Sequence, residues 1–374
     1  MNDKMIRVLY HGREVGILSE TPDHKVAFAY TPEWIRAGFP VSPFSLPVRD
    51  GVFIPVSMNF GGLFGVFSDS LPDAWGQLLM NRMLRRSGVS PDEIGQLDRL
   101  AIIGDAGMGA LSYLPARESW QSETIGNLDE LALECRRILN HEETGSADRL
   151  FRLAGSSGGA RPKVMTDEWI IKFPASAEDP DDGVMEKAYM DCAERCGIIV
   201  PESRLLPSSR CGGYFSVRRF DRTFLPDGTF RRRHVLTAAA LLELDWRSPS
   251  LDYHTLMKLT RILCRERTED VEQMYRRMCF NVFAHNRDDH SKNFSFIYDD
   301  EKDRWFISPA YDLTWSRTYY GEHTTTVDRN GRDPGMKELL NVGTAAGLAA
   351  GRCRKIAEQI RQEAVPLAEQ YRKE

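Results

Sequence analysis

The 374-residue chain is long enough for two or three hydrophobic cores, since domains usually contain about 100–200 residues. Its net charge of −5 argues against a general nucleic-acid coat, although a local basic patch is compatible with that charge. The N-terminus has no apolar run typical of a signal peptide, and no stretch approaches the length of a membrane span, so we expect a cytoplasmic protein with no membrane contact.

The seven cysteines are odd in number and lack a paired CxxC pattern. Cys192 and Cys196 lie four residues apart on a helical stretch, but no matching His or Cys pair completes a zinc site. We therefore expect reduced and mostly packed thiols.

The first part of the chain has the pattern of β structure followed by a helix. Residues 5 to about 56 contain a hairpin pattern with its turn at His11 and Gly12, and then a further strand, VAFAY. In residues 61–88, Pro72 marks the start of a helix whose inner face carries apolar residues at helical spacing: Leu78, Leu79, Met83 and Leu84.

A glycine-rich stretch, AIIGDAGMGALSYL, follows at residues 101–114. We interpret it as a tight turn between a helix and a strand, because a phosphate-binding loop would be followed by a lysine. Residues 127–139, NLDELALECRRIL, predict an amphipathic helix with acidic residues early and arginines late, as the helix dipole favours.

The next block, LAGSSGGARPKV at residues 153–164, predicts a loop whose backbone N–H groups can approach a phosphate closely. It is not a P-loop, because Pro162 precedes the lysine and Val164 follows it, and a flexible linker is the alternative interpretation. A strand with Lys172 near its end and a helix that Glu186 opens come next. Glycine loop, strand lysine and helix glutamate in that order are typical of a kinase N-lobe, although an exposed lysine and a surface glutamate remain possible.

An arginine-rich segment with interleaved Phe220 and Phe224 follows at residues 212–233, with RRF as the expected hinge. Its cationic residues are Arg218, Arg219, Arg222 and Arg231 to Arg233. The cluster could contact nucleic acid, an acidic partner or nucleotide phosphates, but a solvated arginine face is the more frequent explanation. The stretches HVLTAAALLELDW and YHTLMKLTRIL predict helices of a larger C-terminal lobe.

The stretch HNRDDHSKNFSF, residues 285–296, lies between a predicted helix and a short strand. Asp288 and Asn293 have the D-x-x-x-x-N spacing of a kinase catalytic loop, in which the aspartate accepts the hydroxyl proton and the asparagine holds a metal ion. Asp312 in SPAYDLT lies where a second metal-binding aspartate would belong. The spacing alone more often marks a solvated polar turn, so its weight comes from the upstream blocks in kinase order.

Taken together, these blocks resemble the HipA-like serine/threonine kinases of bacterial toxin–antitoxin systems. The resemblance rests on SSGGARPK, IIKFP, VRRFDR, NRDDHSKNFS and YDLT, and in the N-terminal half on FSLPV, FSDSLPDAWGQLL and GDAGMGALSYLP. It implies an α+β, two-lobed protein-kinase-like fold of the PI3/4-kinase-like variant, with an N-terminal β subdomain and a mostly helical C-lobe. The expected segments are an N-terminal subdomain at residues 1–115, a kinase N-lobe at 116–222 and a C-lobe at 223–374.

The resemblance also implies roles for single residues. Asp288 would be the catalytic base, Asn293 and Asp312 the Mg²⁺ ligands, and His290 and Lys292 would shape the loop and neutralise phosphate charge. Ser156 matches the loop serine whose autophosphorylation silences relatives, with Ser157 as second choice. The expected ATP-binding residues are Ser156, Ser157, Gly158, Gly159, Lys163, Lys172, Glu186, Arg219 and Phe220. One departure is Arg218, where relatives usually carry an acidic hinge residue.

By this resemblance we expect ATP and Mg²⁺ as cofactors and phosphorylation of a translation component such as an aminoacyl-tRNA synthetase. The expected partner is a HipB-like helix-turn-helix antitoxin, through which DNA would be contacted only indirectly. Alternatives are a catalytically weak kinase-fold co-repressor and a small-molecule phosphotransferase or nucleotidyl transferase. A metal hydrolase built on His285, Asp288, Asp289 and His290 is the weakest, because adjacent side chains cannot easily converge on one ion.

Overall fold

The computed structural model describes residues 5–117, 125–142, 147–155, 158–175, 181–318 and 320–372. The chain forms two compact units, the first made of Met1–Pro180, Leu206–Leu236 and Ala240–Glu243, and the second of Asp181–Leu205, Thr237–Ala239 and Leu244–Glu374. Within the described part of the chain, no helix is both long enough and apolar enough to cross a membrane.

The N-terminal sheet of the first unit has five strands in the order β4-β3-β2-β1-β5. The strands are β1 (Met5–Tyr10), β2 (Arg13–Glu20), β3 (Val26–Tyr30), β4 (Val52–Phe53) and β5 (Leu111–Leu114). The predicted hairpin forms with its turn at His11 and Gly12, where both residues have positive φ angles of 48° and 77°. Such a pair matches the twist of the flanking strands.

Among the helices described in the first unit, two carry the core that supports the glycine loop. The N-terminal α-helices are α1 (Pro32–Ala37), α2 (Gly65–Ser68), α3 (Ala74–Arg86), α4 (Gln96–Ile103), α5 (Leu128–Leu139) and α6 (Ala147–Ala154). Helices α3 and α6 contact each other, and Trp75, Leu79, Leu150 and Phe151 are buried in one cluster. The expected amphipathic helix is α5, and the Asn127 side chain caps it by accepting the N–H groups of Asp129 and Glu130.

A second sheet of the first unit positions the candidate nucleotide-binding lysines. Strands β6 (Lys163–Met165) and β7 (Trp169–Lys172) pair antiparallel. After helix α7 (Asp182–Arg195) and strand β8 (Ser203–Leu206), strand β9 (Tyr214–Arg218) pairs with the other edge of β7. Strands β10 (Arg222–Phe224) and β11 (Phe230–Arg232) then form an antiparallel hairpin.

The sequence HVLT forms strand β12 (His234–Thr237), and only Ala238–Leu242 that follow form a helix, α8. The helix expected over this whole stretch was therefore wrong at its start. A four-residue apolar stretch fits either structure, and the β-branched Val235 and Thr237 favour the extended form.

The second unit consists mainly of helices. These are α7, α9 (Tyr253–Leu263), α10 (Thr268–Phe283), α11 (Met336–Ala345) and α12 (Ala350–Tyr371), together with a hairpin of β13 (Ser295–Asp299) and β14 (Arg304–Ile307). Helix α10 contacts α9 and α12, and its Met274, Met278 and Phe280 are fully buried. The expected helical C-terminal region therefore forms, and α10 leads directly into the candidate catalytic loop.

Helix α7 belongs to this second unit, although the sequence places it in the predicted N-lobe segment 116–222. Its Tyr189 hydroxyl donates to the carbonyl oxygen of Ala284 at 2.8 Å, and Cys192 contacts the carbonyl oxygen of Glu363. These contacts join α7 to the helices of the second unit, while the three-segment division stays a prediction.

One carboxyl group in the first unit couples folding to pH. Glu243 follows α8 in a left-handed conformation, with φ of 52°, and both its carboxyl oxygens lie 3.1 Å from the backbone nitrogen of Gly65. Burial raises the pKa of Glu243 to about 7, although the hydrogen bond from Gly65 opposes the shift.

We expect Glu243→Gln to flatten the pH dependence of stability. Because the pKa of Glu243 is raised, the folded chain binds more protons than the unfolded chain between pH 4.5 and about 7, so the free energy of unfolding falls as pH rises through that range. The loss should be about 3 kcal/mol in the wild-type chain and absent in the variant. Urea unfolding from pH 4.5 to 8 measures it, with the exposed Glu93→Gln as control. A wild-type decline retained in Glu243→Gln would contradict the assignment.

Candidate functional site

The glycine loop of the first unit is described from Gly158 onward and at Gly155, whereas Ser156 and Ser157 lie outside the described residues. Gly155 and Gly159 have φ angles of 54° and 92°, which glycine adopts without strain. The ammonium group of Lys163 donates to the carbonyl oxygen of Gly158, and Lys163 is only 4% exposed. A Cβ atom on Gly159 would lie 2.7 Å from that ammonium nitrogen. The positive φ angles therefore favour glycine at both positions, and Lys163 folds back to contact the loop.

The two candidate phosphate-binding lysines are neighbours on adjacent strands. Lys163 in β6 and Lys172 in β7 are directly opposite each other, so their side chains leave the same face of the sheet. Lys172 is half-buried, and its ammonium nitrogen lies 5.6 Å from the ring centroid of Phe215 on β9. Like charges directly opposite each other destabilise a sheet. This arrangement concentrates positive charge at one spot, which suits an anionic ligand.

Glu186 lies within α7 of the second unit, one turn after the helix begins at Asp182, and its side chain is 2% exposed. The prediction that Glu186 opens the helix was therefore wrong. The alternative, a surface glutamate, is also wrong, because Glu186 is buried. A buried carboxylate needs hydrogen-bonding or charged partners.

The arginines of the expected hinge form an internal network. The Arg219 guanidinium binds Asp221 through two nitrogens, at 3.0 and 2.9 Å, and donates to the carbonyl oxygen of Thr166. Arg222 also binds Asp221, which accepts the N–H of Gly109 as well. Burial would raise the pKa of Asp221, but the charges of Arg219 and Arg222 outweigh it and hold the pKa well below its usual range.

Arg232 closes the glycine-rich stretch that joins α4 to β5. Its guanidinium donates to the carbonyl oxygens of Asp105, Gly107, Gly109 and Leu111, at 2.7 to 3.0 Å. The stretch is thus the expected turn between a helix and a strand. The solvated arginine face favoured for residues 218–233 was wrong for Arg219, Arg222 and Arg232, because their charges are used inside the fold.

The nucleotide-binding roles of Arg219 and Phe220 stay predictions. The Arg219 guanidinium is committed to Asp221, and its backbone N–H donates to the carbonyl oxygen of Glu168. Phe220 is half-buried. At the departure from the usual hinge pattern, Arg218 pairs with Glu168 at 2.8 Å, with both side chains about 40% exposed.

The candidate catalytic loop begins where α10 ends. His285 has a φ of 53°, which turns the chain out of the helix. Asp288 is exposed, and the Asn293 side-chain amide donates to its backbone carbonyl oxygen at 2.7 Å. The loop therefore presents Asp288 to solvent while Asn293 closes the turn.

The neighbouring Asp289 is fully buried and anchors the loop. It accepts hydrogen bonds from the Tyr253 hydroxyl at 3.0 Å and the backbone N–H of Thr325 at 3.1 Å, and it lies 3.1 Å from Nδ1 of His323. Burial and the Asp289 charge raise the pKa of Tyr253 well above its usual value, so the phenol remains a donor. Apart from the doubled aspartate, no sequence pattern indicates this role, because the partners lie 34 to 36 residues away.

Asp312 has a φ of 52°, an uncommon conformation for a residue other than glycine and one that is often found at functional sites. The hydroxyl of the preceding Tyr311 donates to the carbonyl oxygen of Lys292 at 2.7 Å and contacts the Ser295 hydroxyl. Tyr311 precedes the candidate ligand Asp312, and Lys292 precedes the other candidate ligand, Asn293. The hydrogen bond from Tyr311 to Lys292 therefore links the two segments.

His290 and Lys292 flank the ring of Trp246. The ring centroids of His290 and Trp246 lie 5.1 Å apart, and the Lys292 ammonium nitrogen lies 5.9 Å from the Trp246 ring centroid. These contacts hold both side chains near Trp246, and their role in shaping the loop stays a prediction.

The candidate metal ligands supply an amide oxygen and a carboxylate, which are hard donors that suit Mg²⁺. No cluster of three or more His, Cys, Asp or Glu side chains in the described ranges could hold a metal ion. Two oxygen ligands fit Mg²⁺, which keeps water and phosphate oxygens in its coordination shell. A hydrolytic centre on residues 285–290 does not fit, because Asp289 is committed to Tyr253 and Thr325.

The comparisons with known proteins agree in family and fold. Residues 6–114 match the HipA N-terminal domain and residues 155–367 the HipA-like C-terminal domain. Two Sinorhizobium fredii proteins named "Putative kinase Y4dM" and "Putative kinase Y4mE" are 31% and 28% identical, over 87% and 85% of this chain and 80% and 79% of their own lengths. HipA in the Shewanella oneidensis complex of HipA, HipB and operator DNA has a TM-score of 0.72 at 19% identity, covering 98% of this chain and 90% of that one. The two-lobed kinase-like fold is thereby confirmed.

We expect Asp289→Ala to destabilise the second unit by about 3 kcal/mol, because it leaves buried donors without an acceptor. The matched control is the neighbouring Asp288→Ala, whose exposed side chain should change stability by no more than about 0.5 kcal/mol. Urea unfolding at pH 7 compares them. Equal small losses in both variants would contradict the anchoring role of Asp289.

Proposed function

The chain belongs to the HipA family, and from that premise we propose that it is a Mg·ATP-dependent serine/threonine protein kinase and the toxin of a toxin–antitoxin pair. The proposal rests on the different environments of two adjacent aspartates. Asp289 holds the loop from inside, while Asp288 reaches solvent five residues before Asn293. A catalytic base needs this combination of a fixed backbone and an accessible carboxylate.

In this proposal, Asp288 accepts the proton of the attacking hydroxyl. Asn293 and Asp312 hold Mg²⁺, which when bound supplies charge neutralisation for the phosphates. Their contribution is positional, and the hydrogen bond from Tyr311 to the Lys292 carbonyl supports it by fixing both segments.

Binding of ATP phosphates is assigned to the paired Lys163 and Lys172, supported by their positions on one face of the sheet. The backbone amide groups of the glycine loop add to the electrostatic environment of these lysines. In the catalytic loop, His290 and Lys292 would shape the loop and neutralise phosphate charge. Glu186, a buried carboxylate of α7, stays among the nucleotide-binding residues that the family implies.

The substrate, the partner and the regulation in this proposal are those that the family implies. The protein substrate would be a translation component such as an aminoacyl-tRNA synthetase, and a HipB-like antitoxin would hold the kinase and contact DNA. Autophosphorylation of Ser156, or of Ser157, would silence the kinase. Both serines lie outside the described residues, so this step rests on the sequence pattern SSGG alone.

The first test is transfer of labelled γ-phosphate from Mg·ATP by the purified chain, alone and with cell extract. We expect label on the 153–164 peptide and on an extract protein, both reduced at least about 100-fold in Asp288→Asn because the proton acceptor is lost. The exposed Asp92→Asn is the matched control and should keep full transfer. Mass spectrometry locates the phosphorylated residue.

ATP binding without transfer in the wild-type chain would overturn the kinase proposal and favour the kinase-fold co-repressor. Label from the α-phosphate instead of the γ-phosphate would indicate a nucleotidyl transferase.

A second prediction concerns Lys172→Met, which keeps the length of the side chain and removes its charge. We expect the KM for ATP to rise about 10-fold or more, since a charged hydrogen bond to phosphate contributes about 1.5–3 kcal/mol. The exposed Lys258→Met serves as control. Unchanged ATP kinetics in Lys172→Met would remove this lysine from the site.

A further inference from the structure

The motif LPDAWG, residues 71–76, starts helix α3 and has no role so far in the proposed reaction. Asp73 occupies the N-cap position of α3, where an aspartate usually accepts N–H groups of its own first turn. Here the side chain makes no such bond. Its Oδ2 atom instead accepts the backbone N–H of Gly159 at 3.0 Å, 86 residues along the chain. The Asp73 side chain therefore contacts the glycine loop instead of capping its own helix.

Trp75 makes two further bonds to the same loop. Its backbone N–H donates to the carbonyl oxygen of Gly159 at 3.4 Å, and its indole N–H donates to the carbonyl oxygen of Lys163 at 3.2 Å. The Trp75 side chain is 1% exposed and packs in the core of the first unit. Both backbone polar groups of Gly159 are therefore bound by the start of α3.

The close approach of the two segments accounts for small residues on both sides. A Cβ atom on Gly158 would lie 3.0 Å from the Asp73 carboxylate oxygen. On the helix, a Cβ atom on Gly76 would overlap Pro72 and would lie 3.4 Å from the carbonyl oxygen of Gly155. The two motifs fit each other at backbone contact distance.

The charge of Asp73 indicates what the contact does. A carboxylate repels a phosphate at short range, so Asp73 would not bind nucleotide itself. Accepting the Gly159 N–H, it fixes the half of the loop that leads into Lys163. We propose that Asp73 is a positioning residue for the glycine loop, so that the N-terminal subdomain sets the order of the loop and thereby the affinity for ATP. The ATP part rests on the proposed kinase function.

The test compares Asp73→Ala, Asp73→Asn and the exposed Gln77→Ala on the same helix. Hydrogen exchange of the Gly159 amide, measured without nucleotide, should be about 10-fold faster in Asp73→Ala because the acceptor is lost. The KM for ATP should rise about 5- to 20-fold with kcat changed less than about threefold, since the loop must be ordered on binding. Asparagine keeps an acceptor oxygen, so Asp73→Asn should stay within about twofold of the wild type in both. Gln77→Ala should match the wild type.

Unchanged exchange at Gly159 in Asp73→Ala would overturn the contact, and faster exchange with an unchanged KM would overturn its link to ATP affinity. Equal damage in Asp73→Asn and Asp73→Ala would also overturn the proposal. If Asp73→Ala fails to fold, Asp73→Ser replaces it, because serine is a good helix N-cap residue whose shorter side chain withdraws the acceptor from Gly159, so exchange should rise in the same direction. Absence of phosphate transfer in the wild-type chain would overturn the kinase proposal separately, since the exchange comparison uses no nucleotide.

Discussion

The buried carboxylate of Asp289 is the constraint on which the catalytic half of the site depends. A charge taken out of water costs several kcal/mol unless hydrogen bonds replace its hydration, and Tyr253 and Thr325 provide them. Because these donors come from helix α9 and from the segment after Asp312, the loop has one low-energy position between them. Asp288, the next residue, is left on the solvent side.

In the first unit the corresponding constraint is positive charge. Lys163 and Lys172 lie opposite each other on paired strands, and repulsion between their like charges destabilises the sheet. The ammonium group of Lys163 also donates to the carbonyl oxygen of Gly158, which holds the lysine against the glycine loop. Two cationic side chains on one face of the sheet are the kind of group that phosphate-binding sites use.

Local elements and the order of motifs could be predicted from the sequence, whereas burial of single charges could not. The hairpin at His11 and Gly12 depends on adjacent residues, so its pattern was sufficient. The choice between Asp288 and Asp289 as anchor depends on partners about 36 residues away, and the burial of Arg219 depends on Asp221 and on Gly109 from another segment. Composition and spacing carry no information on such contacts, so the arginines had the pattern of a solvated face.

The charges of this protein fall into two groups with different support. Structural charges, such as Arg219 with Asp221, neutralise each other inside the fold. The catalytic loop is held through backbone groups next to the functional side chains, since Asn293 binds the carbonyl oxygen of Asp288 and Tyr311 that of Lys292. These contacts use the main chain, so they fix the backbone of the loop at Asp288 and Lys292. A general base needs a fixed backbone and a side chain that a substrate can reach, and the exposed Asp288 on this loop combines the two.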